Sequence, residues 1–274
     1  MNNMKAFVKT NNGTFPNVNF YLAWEAFNTM GYNATCFEEH EIDNLDITKQ
    51  TPVFAGVTVF RKIIDKLGVN YAPYDCYPED LKPYYKRNIR RTTLGEVRKE
   101  FNDNSTPVFV KPVLPKEFNG RVLNSCLDLI SMAKKSDDLE VYVSDPIDLL
   151  SEYRVYVLDG DILGVKHYYG DWSLAPKKEF VEEVVRSYKN APAAYGVDIG
   201  VTSEYDCVIE SNDGCNLGNY GLDSIHYGEM IVSRWTEIVN EKRSTSRSKF
   251  ESVSAYAQSI RNNKFDLNTF IKKA

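Results

Sequence analysis

The chain has 274 residues, 43% hydrophobic and 26% charged, with 33 Lys and Arg against 38 Asp and Glu for a net charge of −5. That balance belongs to a chain able to bury a core, so disorder over the whole length is not expected, and the acidic sum gives no global case for nucleic acid or an anionic membrane. No apolar run approaches the ~20 residues that span a bilayer, and the start MNNMKAFVKTNNG lacks the apolar core of a signal peptide.

Five cysteines (36, 76, 126, 207 and 215) show no C-x-x-C pair and read as free thiols of a reducing cytosol. His40, His167 and His226 lie too far apart for a metal set. A cytoplasmic protein of one elaborate or two modest domains is expected.

In chain order, KAFVK (5–9) reads as a strand and VNFYLAWEAFNTMGY (18–32) as a helix stopped at Gly31. TPVFAG (51–56) is a second strand, and TVFRKIIDKLG (58–68) an amphipathic helix that also ends on glycine. Together they predict a small α/β unit with a partly parallel sheet. The Pro- and Tyr-rich YAPYDCYPEDLKPYY (71–85) is the expected domain boundary.

Beyond it, TTLGEVRKEF (92–101) and LNSCLDLISMAKK (123–135) read as helices, and TPVFVKP (106–112) and LEVYVSD (139–145) as strands. EYRVYVLDGDILGVKHY (152–168) predicts a hairpin around Asp159-Gly160, a dipeptide suited to a type I′ turn. PKKEFVEEVVRSYKN (176–190) is a helix, while YGVDIGVT (195–202) and CVIESN (207–212) form a second hairpin. The last forty residues read as helices joined by a Ser/Arg-rich link.

The stretch CVIESNDGCNLGNYGLD (207–223) concentrates the chemistry. Glu210 and Asn212 are two apart on a strand, so they share a face and offer hard oxygen ligands of the kind Mg²⁺ takes alongside substrate phosphates. Asp198 on the preceding strand joins them if an odd loop connects the strands, and points away if the loop is even. A solvated hairpin face accounts for the spacing equally well. Cations for a polyphosphate are available at Lys111, at the end of an apolar strand, at Lys116 beside Gly120, and at Arg154, which shares a strand face with Glu152. Each alone reads as a surface charge; the set favours a Mg–nucleotide site.

The order of these motifs resembles the ATP-grasp superfamily of carboxylate–amine ligases over about residues 86–235. The acidic signature, Asp198, then Glu210 and Asn212, is its strongest part. VFVKP with KEFNGRV, EYRVYVLDGDILG and VIESNDG resemble a phage and bacterial branch named for one arginine and two lysines, and VFAGVTVFRKIIDKLG resembles that branch's N-terminal unit.

The resemblance implies an α+β ATP-grasp fold at 86–240, a small α/β domain ahead of it at 1–85 and a C-terminal helical tail at 241–274. It implies ATP and Mg²⁺ as cofactors. Lys111 would contact phosphates, Lys116 would sit in a mobile loop, and Val143 and Asp145 would lie in the linker beside adenine. Glu152 or Asp145 would meet the ribose, Arg154 would face the γ-phosphate or acyl-phosphate, and Asp198, Glu210 and Asn212 would hold Mg²⁺. Many relatives carry an arginine where this chain has Gly196, so Lys166 or Arg154 would have to supply that charge. An upstream lysine near the α-phosphate has its candidates in Lys86, Arg90 and Arg91.

The implied reaction joins a carboxylate to an amine through an acyl-phosphate, with ADP and phosphate released. Its substrates would be small molecules or peptides, in the cytoplasm of a bacterial host if the gene is a phage's. Two rivals stand beside it. One is a catalytically silent nucleotide-binding protein acting through partners, which Gly196 supports. The other is nucleic-acid binding through LKPYYKRNIRRTTLGEVRK (81–99), which the acidic whole disfavours.

Overall fold

The computed structural model describes residues 4–102, 105–114 and 117–240. It divides into two compact units. The first holds the described residues of Met1–Tyr71, Pro192–Tyr195 and Asp213–Ala274, and the second is Ala72–Ala191 with Gly196–Asn212. The chain therefore crosses between units more than once. The expected helical tail, 241–274, lies outside the described residues.

In the first unit, β1 (Lys5–Lys9) is the centre of a three-stranded sheet, paired in parallel with β2 (Asn33–Phe37) and β3 (Val53–Phe54). Helix α1 (Val18–Thr29) starts where the Asn17 side chain accepts from the Asn19 N–H. It ends before Gly31, which supplies φ +86. Helix α2 (Val57–Lys66) buries Val59, Phe60, Ile63 and Ile64, the stripe its spacing predicts. That stripe packs with Phe7, Phe37, Val53 and Trp235 in one core. Trp235 belongs to α5 (Ser224–Asn240), a helix that begins directly after the 207–223 stretch.

The second unit holds two four-stranded sheets. One has the order β4-β7-β5-β6, from β4 (Ile89–Thr93), β5 (Val108–Pro112), β6 (Arg121–Leu123) and β7 (Glu140–Ser144), with every pair antiparallel. Alternation splits its faces. Val110, Val141 and Val143 pack against Leu94, Val97 and Phe101, contributed by helix α3 (Leu94–Glu100) and the residue after it. Arg91, Lys111 and Tyr142, which pair across the strands, share the opposite face.

The helix expected over 123–135 is only a 3₁₀ helix, Cys126–Met132. Leu127 and Ile130 stay exposed, while Cys126, Leu129 and Met132 pack on the core of the sheet, so only one side of this short helix is covered. Arg98 also takes the carbonyls of Met132 and Lys135, which removes acceptors from a longer helix.

The other sheet has the order β11-β10-β8-β9, from β8 (Ser151–Leu158), β9 (Asp161–Gly170), β10 (Ala194–Val201) and β11 (Asp206–Asp213). Asp159 (φ 49) and Gly160 (φ 88) turn the β8–β9 hairpin with both central residues left-handed, as a type I′ turn requires. Helix α4 (Lys178–Ser187) buries Val181, Val184 and Val185.

Candidate functional site

Two antiparallel strands place the acids. Residues Thr202 to Tyr205 join β10 to β11, an even count that by itself would turn Asp198 away from Asn212. The ladder corrects for it. Thr202 N–H donates to the Tyr205 carbonyl at 3.0 Å near the turn, and Gly214 N–H to the Ala194 carbonyl at 3.2 Å at the far end. Those pairs fit registers one residue apart, so the strands slip by one between them. The Asn212 amide nitrogen consequently donates to Asp198 Oδ2 at 3.1 Å.

Asp198 is 3% exposed, and Arg154 from β8 grips it with two hydrogen bonds of 2.7 Å, Nε to Oδ1 and Nη2 to Oδ2. Burial lifts the Asp198 carboxyl and Arg154 works against that lift; the charge of Glu210 also acts on it. Glu210 in turn is paired with Lys111, which reaches it from β5. Burial opposes the Lys111 ammonium, but Glu210 outweighs it and holds the group well above the usual lysine range.

Among the described residues no three His, Cys, Asp or Glu side chains gather as a ligand set. Asp198, Glu210 and Asn212 instead form a set of two carboxylates and one amide. That is the donor chemistry Mg²⁺ takes when phosphate oxygens complete its shell, so these residues fit the ion the resemblance implies.

Lys166 on β9 pairs directly with Arg154 and therefore shares its face. Glu152 accepts a 2.6 Å hydrogen bond from Tyr168, and burial raises its carboxyl. A bulge arranges this contact: Tyr153 pairs with His167 and Glu152 with Tyr169, which leaves Tyr168 as the extra residue. Tyr168 also lies 5.8 Å from the Arg154 guanidinium. Val143 turns its side chain into the hydrophobic core, leaving only its backbone to meet a ligand. Asp145 accepts from Asn88 N–H at 3.4 Å and lines a cavity of about 630 Å³ with Tyr77, Lys86, Arg91 and Tyr142. Lys116 lies outside the described residues. Of the upstream candidates, Lys86 and Arg91 line that cavity, whereas Arg90 shares the core side of its sheet with Val143.

Two neighbours escaped the sequence reading. Arg87 donates to the carbonyls of Val208 and Ile209 at 3.0 and 2.7 Å, just before Glu210. Tyr77, in the loop taken for a boundary, stands with its ring 5.3 Å from Lys111 Nζ. The Tyr168 contact depends on a bulge that strand periodicity does not signal, and nothing in the spacing of 71–85 signalled Tyr77.

A family model for an ATP-grasp domain, the second family of its clade, matches residues 84–230, more than half of the chain. The protein belongs to the ATP-grasp family. Solved structures give the same fold. A D-alanine–D-alanine ligase from Bacillus anthracis complexed with ATP superposes with a TM-score of 0.55 at 16% identity, covering 87% of this chain and 98% of its own. A RimK domain ATP-grasp protein from Sphaerobacter thermophilus gives 0.55 at 14% identity over 83% and 98%. An N5-carboxyaminoimidazole synthetase from Staphylococcus aureus gives 0.56 at 13% identity over 86% and 79%. No curated protein sequence matches the chain. Among the described residues of this ATP-grasp protein, no helix is long and apolar enough to cross a membrane.

Proposed function

We propose that this ATP-grasp protein is an ATP- and Mg²⁺-dependent carboxylate–amine ligase working through an acyl-phosphate. The observation that carries the reading is the interlocked set Lys111–Glu210 and Arg154–Asp198–Asn212, in which the cations that would meet a triphosphate already stand on the acids that would hold its metal.

In the reaction a substrate carboxylate oxygen attacks the γ-phosphorus of ATP, the bond to the β-phosphate oxygen breaks, and ADP leaves. The amine then attacks the acyl carbon, loses a proton, and inorganic phosphate departs. No covalent nucleophile on the protein is needed; positioning and charge neutralisation supply the catalysis.

Lys111 takes the phosphate chain. Arg154, with Lys166 opposite it, neutralises the transferred group and stands in for the cation that Gly196 does not provide. Mg²⁺ held by Asp198, Glu210 and Asn212 would screen the phosphate charge. Glu152 or Asp145 orients the ribose, and the backbone at Val143 would lie near adenine. Lys116, outside the described residues, is the remaining cation that the resemblance implies.

The carboxylate and amine substrates are small molecules or peptides, among them an amino acid, a peptide or a protein tail, met in the cytoplasm. The test is ADP release from ATP and Mg²⁺ against amino-acid and peptide pools, with mass spectrometry of the condensed product. Glu210→Ala should lower turnover by about 10²-fold or more, as loss of a charge-stabilising group does, while the fold survives. Wild-type ADP release by that variant would remove the reading. ATP binding with no ADP release in any pool would leave a nucleotide-binding protein acting through partners.

A further inference from the structure

The loop between Tyr71 and the 3₁₀ helix Glu79–Tyr84 is fastened to the strand that carries the acids. Ser211 N–H donates to the Cys76 carbonyl at 2.9 Å, and the Tyr74 and Ser211 hydroxyls share a hydrogen bond of 2.6 Å. Ser211 stands between Glu210 and Asn212, so residues 74–77 are held at the edge of the site. Asp75 then accepts from the Tyr77 N–H at 2.9 Å and fixes where its ring begins.

Around that ring, Tyr142 packs edge-on at 4.7 Å and Tyr85 at 5.6 Å. Two cations face it, Lys111 Nζ at 5.3 Å from the centroid and the Arg87 guanidinium at 5.9 Å. Arg87 is itself fixed, because its terminal nitrogens donate to the carbonyls of Tyr85, Val208 and Ile209. Lys111 is the member on a flexible stem, and an ammonium on such a stem is easily drawn off. Burial raises the Tyr77 phenol against the pull of Lys111, so the ring presents a neutral π-face.

We propose that Tyr77 is a positioning residue of the nucleotide site, its ring holding the Lys111 ammonium where it meets both Glu210 and an incoming phosphate. This rests on the nucleotide reading of the preceding section. Without the ring, Glu210 is the one ion-pair partner among the described residues left to direct Lys111, and the lysine is less well placed for a phosphate. A cation over a tyrosine face is worth up to a factor of about ten in affinity when partly desolvated.

The test compares the full-length chain with Tyr77→Phe and Tyr77→Leu, checking melting temperatures first and substituting Tyr77→Met if the leucine variant fails to fold. Reductive methylation with formaldehyde and a borohydride, read at Lys111 by peptide mass spectrometry, reports the lysine's restraint with no nucleotide present. Titration with ADP and Mg²⁺ reports the site. Tyr77→Phe should stay within about twofold of wild type in both, because the ring remains. Tyr77→Leu should speed methylation of Lys111 several-fold and weaken ADP binding about tenfold, yet change ADP binding no further in a Lys111→Met background.

Unchanged methylation in Tyr77→Leu overturns the proposal. So does an equal loss of affinity in the Lys111→Met background, or a phenylalanine variant that behaves like leucine. A wild-type chain that binds neither ADP nor ATP overturns the nucleotide reading instead, and the methylation rates still decide whether Tyr77 positions Lys111.

Discussion

Arg154 and Asp198 meet through two parallel hydrogen bonds of 2.7 Å, with their side chains 9% and 4% exposed. Two-pronged guanidinium–carboxylate pairs combine charge with fixed geometry, and removing one partner strands a buried charge. Arg154→Met should therefore destabilise the protein by about 3–5 kcal/mol, read from denaturant unfolding. Adding Asp198→Asn should recover much of the loss, since the double variant strands no charge. Additive losses would show that the two side chains are not coupled.

The same pairing has a consequence for metal binding. Asp198 is occupied by Arg154 and Asn212, and Glu210 by Lys111, so a bare divalent ion meets carboxylates whose charge is already neutralised. On the proposed reading, a triphosphate that draws Lys111 and Arg154 to itself would free those oxygens. Calorimetric titration with MgCl₂ alone should give no saturable heat up to several millimolar, whereas Mg²⁺ should bind once ADP or ATP is present. Sub-millimolar Mg²⁺ binding in the absence of nucleotide would contradict this coupling.

Much of this arrangement was legible in the sequence because it follows strand periodicity. Glu210 and Asn212 had to share a face, Asp159-Gly160 had to turn a hairpin, and Lys111 had to end an apolar strand beside an anion. What periodicity could not supply is register. The one-residue slip that brings Asn212 to Asp198, and the bulge that aims Tyr168 at Glu152, depend on how two strands meet.

Short strands were also missed. NATCF is mostly exposed and carries no apolar alternation, yet it is β2, held by its parallel ladder to β1. The division into units was hidden for a similar reason. Trp235 and Phe60 are far apart in sequence, and only the folded chain shows their rings 5.9 Å apart in one core.

Two glycines that follow Glu210 in the chain have different reasons for being there. A Cβ at Gly214 would collide with the Ala194 backbone, so that glycine permits a close approach of chain to chain. Gly228 lies in α5, where a Cβ would fall 2.7 Å from Ala26 Cβ and from Met30 Sδ at the end of α1. Alanine ordinarily stabilises a helix interior by about 1 kcal/mol over glycine. Here overpacking, at about 1–3 kcal/mol, should win, because Ala26 has no rotamer to yield. Gly228→Ala should thus lower stability and Gly228→Val lower it further; an alanine variant more stable than wild type would show that the helices part freely.

A second buried pair makes the first unit's stability depend on acid. Arg234 in α5 donates from Nε to Asp213 Oδ1 at 2.7 Å and from Nη2 to Oδ2 at 3.0 Å, and Tyr71 donates to the same carboxylate. Burial works against the Asp213 charge, but Arg234 and Tyr71 prevail and hold the carboxyl below its ordinary value. In the unfolded chain it returns to about 3.9.

A carboxyl depressed on folding contributes stability that is complete above the unfolded value and disappears as pH falls through the folded one. The part of the unfolding free energy that Asp213 contributes should therefore be flat above about pH 5 and decline below about pH 4. Asp213→Asn should flatten part of that decline and cost about 3 kcal/mol at pH 7, the low end for a broken buried pair, because Glu237 still faces Arg234 at 2.7 Å. Denaturant melts from pH 3 to 7 on both chains decide it: an asparagine variant with the full wild-type acid slope would place the titrating carboxyl elsewhere.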